Sequence, residues 1–155
     1  MRLGNLYFFD EFPRVFLSHK QRNFAIWGIG GNIGNVPRRF KKLLQILKNN
    51  PRISLKATSP ILKNPPFGFL DQPDFYNGVI AFETNMSPRE LLRYGLYLEK
   101  RMKRERTFKN APRTLDIDII FFNDLKIEEK DLVIPHPFWS ERESVVKPMR
   151  YILEV

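Results

Sequence analysis

The stretch PRTLDIDIIFF, residues 112–122, constrains the fold more than any other part of the sequence. Its Leu, Ile and Phe residues are typical of a buried β-strand, yet Asp116 and Asp118 stand in its middle. Acidic residues weaken strands, and burying a charge without a partner is costly. Because side chains alternate along a strand, both carboxylates lie on one face, with their Cα atoms about 6.6 Å apart. The fold must therefore bury one face of this strand and neutralise the other.

Bulk composition predicts one compact domain. The 155 residues suffice for a core that folds unaided, and 14 Phe residues with 43% apolar residues argue against a disordered chain. The chain has no Cys, so disulfides and thiolate metal sites are excluded, and we expect a cytoplasmic protein. A net charge of +9 attracts polyanions, which include nucleic acid, anionic lipid and polyphosphates such as ATP.

No membrane segment is predicted, because no apolar run approaches the roughly 20 residues that cross a bilayer. Residues 1–22 are basic and aromatic but lack the cleavage site of a signal peptide. We interpret them as an N-terminal extension of unknown role, followed by a single domain over residues 23–155.

The order of predicted elements indicates an α+β fold. Asn35 is expected to cap the first helix, and Ser87 with Glu90 forms a capping box at the start of the second. The order strand, helix, strand, strand, helix, strand predicts a ferredoxin-like antiparallel sheet with helices on one face. Residues 125–137 predict a further C-terminal hairpin. The strands are expected at residues 24–29, 53–61, 75–84 and 114–122.

The paired aspartates suit Mg²⁺, a hard cation that is typically held by one or two carboxylates and by substrate phosphates. Arginine and histidine residues flank the strand on both sides, and arginine forks bind phosphate oxygens and stabilise charge during phosphoryl transfer. Two alternatives stay open. Both aspartates could face solvent on an exposed sheet, or they could form a plain salt-bridge network with the arginines.

Other candidate residues also have ordinary structural explanations. Glu99 lies at the edge of an apolar helical stripe, and the pattern favours a pair with Lys103 over a bond to a ligand. His136 lies between two prolines and is either a ligand-binding or a turn residue. Aromatic residues of the proline-rich segment 63–78 either stack on a flat ring or fill the core. The run GIGGNIG at 28–34 fails the dinucleotide-binding pattern and predicts a tight turn.

Taken together, five stretches resemble the 6-hydroxymethyl-7,8-dihydropterin pyrophosphokinase family of folate biosynthesis. The resemblance covers residues 24 to about 150 and implies an ATP-dependent transfer of pyrophosphate to the hydroxymethyl group of the pterin, with release of AMP. We also expect a monomer that binds neither nucleic acid nor membrane. The stretches are GIGGNIG, NPPFGFLDQPDFYNGVIAFET, SPRELL with LEKRMKRER, PRTLDIDIIFF and VIPHPFWSER.

The resemblance assigns roles to individual residues. It implies that Asp116 and Asp118 bind two Mg²⁺ ions and that Arg104 and Arg113 act catalytically on the phosphates. The ATP-binding positions that it implies are Glu99, Arg106, Ile119, His136 and Arg142. The pterin-binding positions that it implies are Asn64, Pro65, Phe67, Phe75 and Asn77.

The chain departs from the family pattern in ways that bear on the site. Ser144 stands where the family usually has a second stacking aromatic, which predicts pterin binding weaker by about 1 kcal/mol unless Phe138 or Trp139 covers that face. Lys103 replaces a glycine, and the loop before Pro112 is one residue short, so we expect its closing motion to differ.

Two rival functions remain. A basic ferredoxin-like domain could bind RNA, but the RNP1 pattern is absent, and acidic residues occupy the strand where stacking rings would be needed. The chain could also be a degenerate pyrophosphokinase that binds pterin poorly because of Ser144.

Overall fold

The computed structural model describes residues 2–3, 6–66, 68–105 and 107–153. The strands are β1 (Arg2–Leu3), β2 (Leu6–Tyr7), β3 (Arg14–Val15), β4 (Asn23–Gly31), β5 (Ile53–Thr58), β6 (Ile61–Asn64), β7 (Phe75–Thr84), β8 (Asp116–Phe122), β9 (Ile127–Glu129) and β10 (Leu132–Ile134). The α-helices are α1 (Val36–Lys48), α2 (Pro88–Arg101) and α3 (Glu143–Leu153), and a short 3₁₀ helix spans Trp139–Glu141.

Eight of the strands in the described ranges form one sheet whose pairings are all antiparallel. β4 and β7 lie at its centre, and β8 pairs with the other side of β4. The single second strand predicted at 53–61 is two strands, β5 and β6, which pair with successive parts of β7. β2 extends the sheet beyond β6, and β3 extends it beyond β5. The result is a mixed α/β fold that includes part of the N-terminal extension.

Both predicted helix starts are confirmed. The Asn35 side chain accepts a hydrogen bond from the backbone N–H of Arg38 at 3.2 Å, which satisfies an otherwise unpaired donor of the first turn. Ser87 and Glu90 form the reciprocal capping box of α2. These local bonds fix where each helix begins, before any tertiary contact is considered.

The core occupies both faces of the sheet. On one face, α1 and α2 pack against alternating strand residues such as Trp27 and Phe82. On the other face, Val145 and Met149 of α3 pack on the intervening residues, among them Ile26. The prediction of helices on one face only is wrong for α3. Pro148 lies inside this helix, and an internal proline weakens the sequence signal of a helix.

The glycine-rich run is not the tight turn that its composition suggested. β4 continues through Gly31, and the turn follows it, with Gly34 at φ +71°. A Cβ atom on Gly30 would lie 2.5 Å from Asn77 Oδ1, and one on Gly31 would lie 2.5 Å from the Thr114 carbonyl oxygen. These glycines therefore let β7 and the segment before β8 approach β4 closely.

β9 and β10 pair antiparallel as a separate two-stranded sheet. Over the four described ranges, no helix combines the length and the apolar character that crossing a membrane requires.

Candidate active site

A pocket opens where the end of β4 lies beside the starts of β7 and β8. Its floor is the glycine-rich part of β4, and its wall includes the aspartate face of β8. The structure brings many of the predicted site residues to this one pocket, although they are spread over 79 positions of the sequence from 64 to 142. The predicted residues that line it are Asn64, Phe75, Asn77, Arg113, Asp116, Asp118, His136 and Arg142.

Asp116 is held by two arginines. Arg104 Nη1 donates to Asp116 Oδ1 at 2.8 Å, and Arg113 Nη1 lies 3.4 Å from Asp116 Oδ2. The ion pairs that the salt-bridge alternative expects do form at this aspartate, which also lines the pocket. Two guanidinium groups therefore place positive charge beside the Asp116 carboxylate in the pocket wall.

Glu99 anchors the Arg104 side chain. Its Oε1 accepts from Arg104 Nη1 at 3.0 Å, its Oε2 accepts from the Ile117 backbone N–H at 2.8 Å, and the residue is only 3% exposed. The expected pair with Lys103 is wrong, because Arg104 turns back towards the end of α2 while Lys103 is exposed. Glu99 thus ties α2 to β8 behind the aspartates.

Asp118 has a different electrostatic environment. Among the described residues its ion-pair contact is His136 Nε2, at 3.9 Å from Asp118 Oδ2. The side chain is 41% exposed, but that surface opens into the pocket, and protein surrounds the rest of the carboxylate. Burial first, and then the negative charges of Asp116 and Glu99, raise the Asp118 pKa to about 7, although Arg142 and Arg104 oppose the rise.

The surroundings of His136 favour its neutral form. Burial lowers its pKa below the usual 6.5, and the positive charge of Arg142 lowers it further. Its backbone N–H donates to the Ile120 carbonyl at 3.0 Å, which fixes the loop against β8. Its Nδ1 is buried and has no hydrogen-bond partner within the described part of the chain. A neutral imidazole next to Asp118 does not supply a permanent counter-charge.

The raised Asp118 pKa predicts a pH-dependent stability of the metal-free protein. The unfolded chain ionises Asp118 near its ordinary pKa of 3.8, whereas the folded protein does so only near 7. The stabilisation from the protonated side chain is therefore complete below 3.8 and is lost as the pH rises through 7. We expect Asp118→Asn, which stays neutral, to become increasingly more stable than the wild type over this range in urea unfolding. A difference that does not vary with pH would contradict the assignment.

The side of the pocket that was assigned to the pterin is built by β6 and β7. Asn77 Nδ2 donates to Asn64 Oδ1 at 2.6 Å, so the two amides hold one another. Phe75 is only 9% exposed, and the Arg113 guanidinium lies over its ring at 5.2 Å from the centroid. Arg113 therefore contacts both Phe75 and Asp116, and it joins the two halves of the pocket.

Phe75 is the one aromatic among the described residues that line the pocket, and Ser144, which stands at the position of the family's second stacking aromatic, also lines it. Trp139 packs edge-on against Phe121 at 4.9 Å, and Phe138 is 65% exposed. Neither residue covers the face that Ser144 leaves open.

Some predicted site residues lie elsewhere. The Ile119 side chain is in the core on the opposite face of β8, so only its backbone could meet a ligand. Pro65 follows β6 in the loop beside the pocket. Phe67 and Arg106 fall outside the described residues.

Sequence reasoning missed three polar residues that hold the loops around the pocket. Asn32 is 5% exposed, and its Oδ1 accepts from the Arg113 backbone N–H at 3.0 Å. Its Nδ2 donates to Gln72 Oε1 at 2.8 Å, and Gln72 Nε2 donates to the Asn110 carbonyl at 2.8 Å. These bonds tie the loop before β7 and the loop before β8 to the end of β4. In the sequence, the one sign of this role is that Asn32 lies inside a glycine run, and that position does not identify the hydrogen-bond partners of Asn32.

The donor set fits a magnesium ion better than a metal held by protein alone. Asp116 and Asp118 present carboxylate oxygens to the same pocket. In the part of the chain that the structure describes, no group of three or more His, Cys, Asp or Glu side chains could hold a metal. Mg²⁺ commonly takes one or two carboxylates and completes its six ligands with phosphate oxygens and water.

Comparisons with known proteins agree with this geometry. The sequence model of the family described as 7,8-dihydro-6-hydroxymethylpterin-pyrophosphokinase matches residues 26–154. The chain is 43% identical over 141 residues to the 2-amino-4-hydroxy-6-hydroxymethyldihydropteridine pyrophosphokinase of Helicobacter pylori. The matched region covers 89% of this chain and 86% of that protein. The protein of that name from Campylobacter jejuni is 41% identical over 140 residues, with 88% and 89% covered. The one from Bacillus subtilis is 32% identical over 132 residues, with 85% and 79% covered.

Proposed function

The chain belongs to the 7,8-dihydro-6-hydroxymethylpterin-pyrophosphokinase family and is a pyrophosphokinase of folate biosynthesis that acts on hydroxymethyldihydropterin, and from this premise we propose that the pocket between β4, β7 and β8 is its active site. The observation that carries the proposal is the position of Arg113, which contacts Asp116 on one side and Phe75 on the other. A phosphoryl group that passes from a nucleotide at the aspartates to a pterin at Phe75 must pass this guanidinium.

The reaction transfers the two terminal phosphates of ATP as one unit. The hydroxymethyl oxygen of the pterin forms a bond to the β-phosphorus, and the bond from that phosphorus to the oxygen bridging the α- and β-phosphates breaks. AMP leaves with that oxygen, and the hydroxyl proton is released to water. Such transfers need alignment and dispersal of negative charge more than they need a covalent intermediate.

The aspartates fit the expected metal, and we propose that Asp116 and Asp118 hold two Mg²⁺ ions. When bound, Mg²⁺ supplies Lewis-acid polarisation and neutralises the charge of the polyphosphate. Burial and the nearby charges of Asp116 and Glu99 raise the pKa of Asp118, and a cation at this carboxylate would offset both effects, which supports this role. At the other carboxylate, Arg104 and Arg113 already supply positive charge beside Asp116.

The other residues act by binding and positioning. Arg104 and Arg113 stabilise charge on the transferred phosphates, and Glu99 keeps Arg104 in place from behind. His136 and Arg142 line the pocket near Asp118, so we assign them to the nucleotide. Arg106 and the backbone of Ile119 are proposed to contribute to the same nucleotide site.

On the other side, Asn77 and Asn64 offer amide groups to the edge of the pterin, and Phe75 offers an aromatic surface. Pro65 and Phe67 are proposed to complete this wall. Asn64 matters because its oxygen occupies one amide donor of Asn77, which fixes the orientation in which Asn77 meets the ligand.

Finer structural features belong to the same proposal. The strand order β5–β7–β4–β8, with α1 and α2 on one face, supports a ferredoxin-like core to which the N-terminal strands, the β9–β10 hairpin and α3 are added. We also propose a monomer.

The test of the function is coupled measurement of AMP release with ATP, Mg²⁺ and the hydroxymethyl pterin. We expect AMP to form in proportion to pterin, and no AMP to form when a methyl group replaces the hydroxymethyl group, because the attacking oxygen is then missing. Pterin affinity in the presence of a non-hydrolysable ATP analogue separates an active enzyme from a degenerate one. Absence of both AMP release and pterin binding would refute the proposal.

A further inference from the structure

A second groove lies between the start of α1 and the end of α2, outside the proposed active site. Its volume is about 350 Å³, and its wall includes Asn35, Met102 and Thr114. The remaining lining residues are all cationic, namely Arg38, Arg39, Lys42, Arg101 and Lys103. We propose that this groove is an accessory binding site for a small phosphate-bearing anion.

The five cations of the groove lack acidic partners in the part of the chain that the structure describes. Within the described ranges, none of them forms an ion pair. Elsewhere on α1, by contrast, Lys41 lies 3.4 Å from Asp10 and Lys48 lies 3.1 Å from Glu11. These two lysines of α1 are therefore neutralised by the N-terminal extension, while the charges in the groove repel one another.

The start of α1 adds positive potential to the groove, whereas the end of α2 is the negative end of its helix dipole. Arg38 and Arg39 occupy the first turn of α1, where acidic residues are normally favoured, and that turn contains no acidic residue. Two arginines at the positive end of a helix are unfavourable alone and favourable once an anion lies between them.

Lys103 adds an observation that is independent of charge. Its φ of +63° lies in the left-handed region, directly after the C-cap of α2, where glycine is the unstrained choice. The chain therefore places a lysine in a conformation that disfavours it, and the side chain faces the groove. A departure from the favoured residue is expected where the charge serves a ligand.

The shape and chemistry of the groove favour phosphate over a nucleic-acid strand. Arginine forks match the oxygens of phosphate groups, and lysines act as point charges for them. Among the described lining residues none is aromatic, whereas single-stranded nucleic acid binds largely by stacking on aromatic rings. We therefore assign the groove to inorganic phosphate, pyrophosphate or the phosphate tail of a nucleotide.

The groove also borders both ends of the segment that carries the catalytic arginines. Arg39 Nη1 donates to the Ile33 carbonyl at 2.6 Å and to the Thr114 carbonyl at 3.0 Å. Thr114 directly follows Arg113, and Lys103 directly precedes Arg104. A bound anion is therefore expected to change the environment of backbone amides at both ends of this segment.

The test is an amide NMR titration of the full chain with inorganic pyrophosphate, without Mg²⁺, at constant ionic strength. We expect saturable shifts at Arg38, Lys103 and Thr114. The triple variant Arg38→Gln/Lys42→Gln/Arg101→Gln should weaken this binding by roughly tenfold or more, because three attractive charges are lost. The charge-matched variant Lys41→Gln/Lys48→Gln/Lys147→Gln should bind as the wild type does, because its lysines lie outside the groove.

Further titrations identify the ligand and define the results that would contradict the proposal. Saturation by orthophosphate and AMP as well as pyrophosphate supports a site for a single phosphate, and saturation by pyrophosphate and ATP alone supports a polyphosphate site. Shifts that do not saturate, or that the two triple variants lose equally, would overturn the proposal, as would tighter binding of single-stranded RNA to the groove. Loss of AMP release in the triple variant is not expected, so a failure of the groove site and a failure of the enzyme assignment are distinguishable.

Discussion

Asp118→Asn is expected to give a folded protein whose kcat/KM falls on the order of 10³-fold. The substitution keeps the shape of the side chain but removes the negative charge that a magnesium ion requires. The raised pKa of Asp118 shows that folding itself does not need this charge, because burial and neighbouring carboxylates disfavour it. Activity and stability should therefore move in opposite directions above pH 7, and this combination distinguishes a functional carboxylate from a structural one.

The measurements are steady-state AMP release and urea unfolding at pH 8. Asp124→Asn is the matched control, because this exposed aspartate follows β8 on the same segment and lies outside the pocket. It should change neither activity nor stability. If Asp118→Asn keeps a rate close to the wild type, the metal assignment is wrong, even if the family assignment stands.

Phe12→Ala is expected to lower the free energy of unfolding by about 3–5 kcal/mol. Phe12 belongs to the N-terminal extension, yet it is only 2% exposed, and its ring centroid lies 6.0 Å from that of Phe40 on α1. Next to it, the Glu11 carbonyl accepts from the Thr58 hydroxyl at 2.6 Å, which fixes the extension to β5. Removing the ring leaves a cavity in the main core that the backbone around it cannot easily close.

The control is Leu17→Ala, in the same extension, because Leu17 is fully exposed and its truncation should change stability by less than about 0.5 kcal/mol. Denaturant unfolding measures both variants. The kcat of folded Phe12→Ala should stay near that of the wild type, since Phe12 does not line the pocket. A loss below about 1 kcal/mol would mean that the extension is not part of the folding unit.

Local signals in the sequence were reliable where the structure is local. The caps at Asn35 and Ser87 form as expected, because each bond joins residues three positions apart. The placement of Asp116 and Asp118 on one face also follows from the two-residue period of a strand, and both line the pocket. The family motif added the roles of these residues, which periodicity alone could not assign.

The sequence was a poorer guide to which polar side chains bond to one another. Glu99 satisfies the helical spacing rule with Lys103, but it bonds to Arg104, since α2 has ended before Lys103, whose φ is +63°, and the helical spacing no longer applies. Asn32 and Gln72 lie 40 positions apart, and nothing in either residue identifies the other. The sequence did not predict helix α3, because Pro148 interrupts its helical pattern. The packing of α3 on the apolar second face of the sheet is visible only in the structure.

The sequence by itself determined which side chains share a face, where two helices start and which family motif the chain carries, because these depend on spacings of a few residues. Tertiary structure alone decided that two arginines reach Asp116, whereas the ion-pair contact of Asp118 within the described ranges is His136. It also decided that Phe12 enters the core from the N-terminal extension. These outcomes depend on distances between residues remote in the chain, and the balance of burial and charge that sets them exists only after the strands have paired.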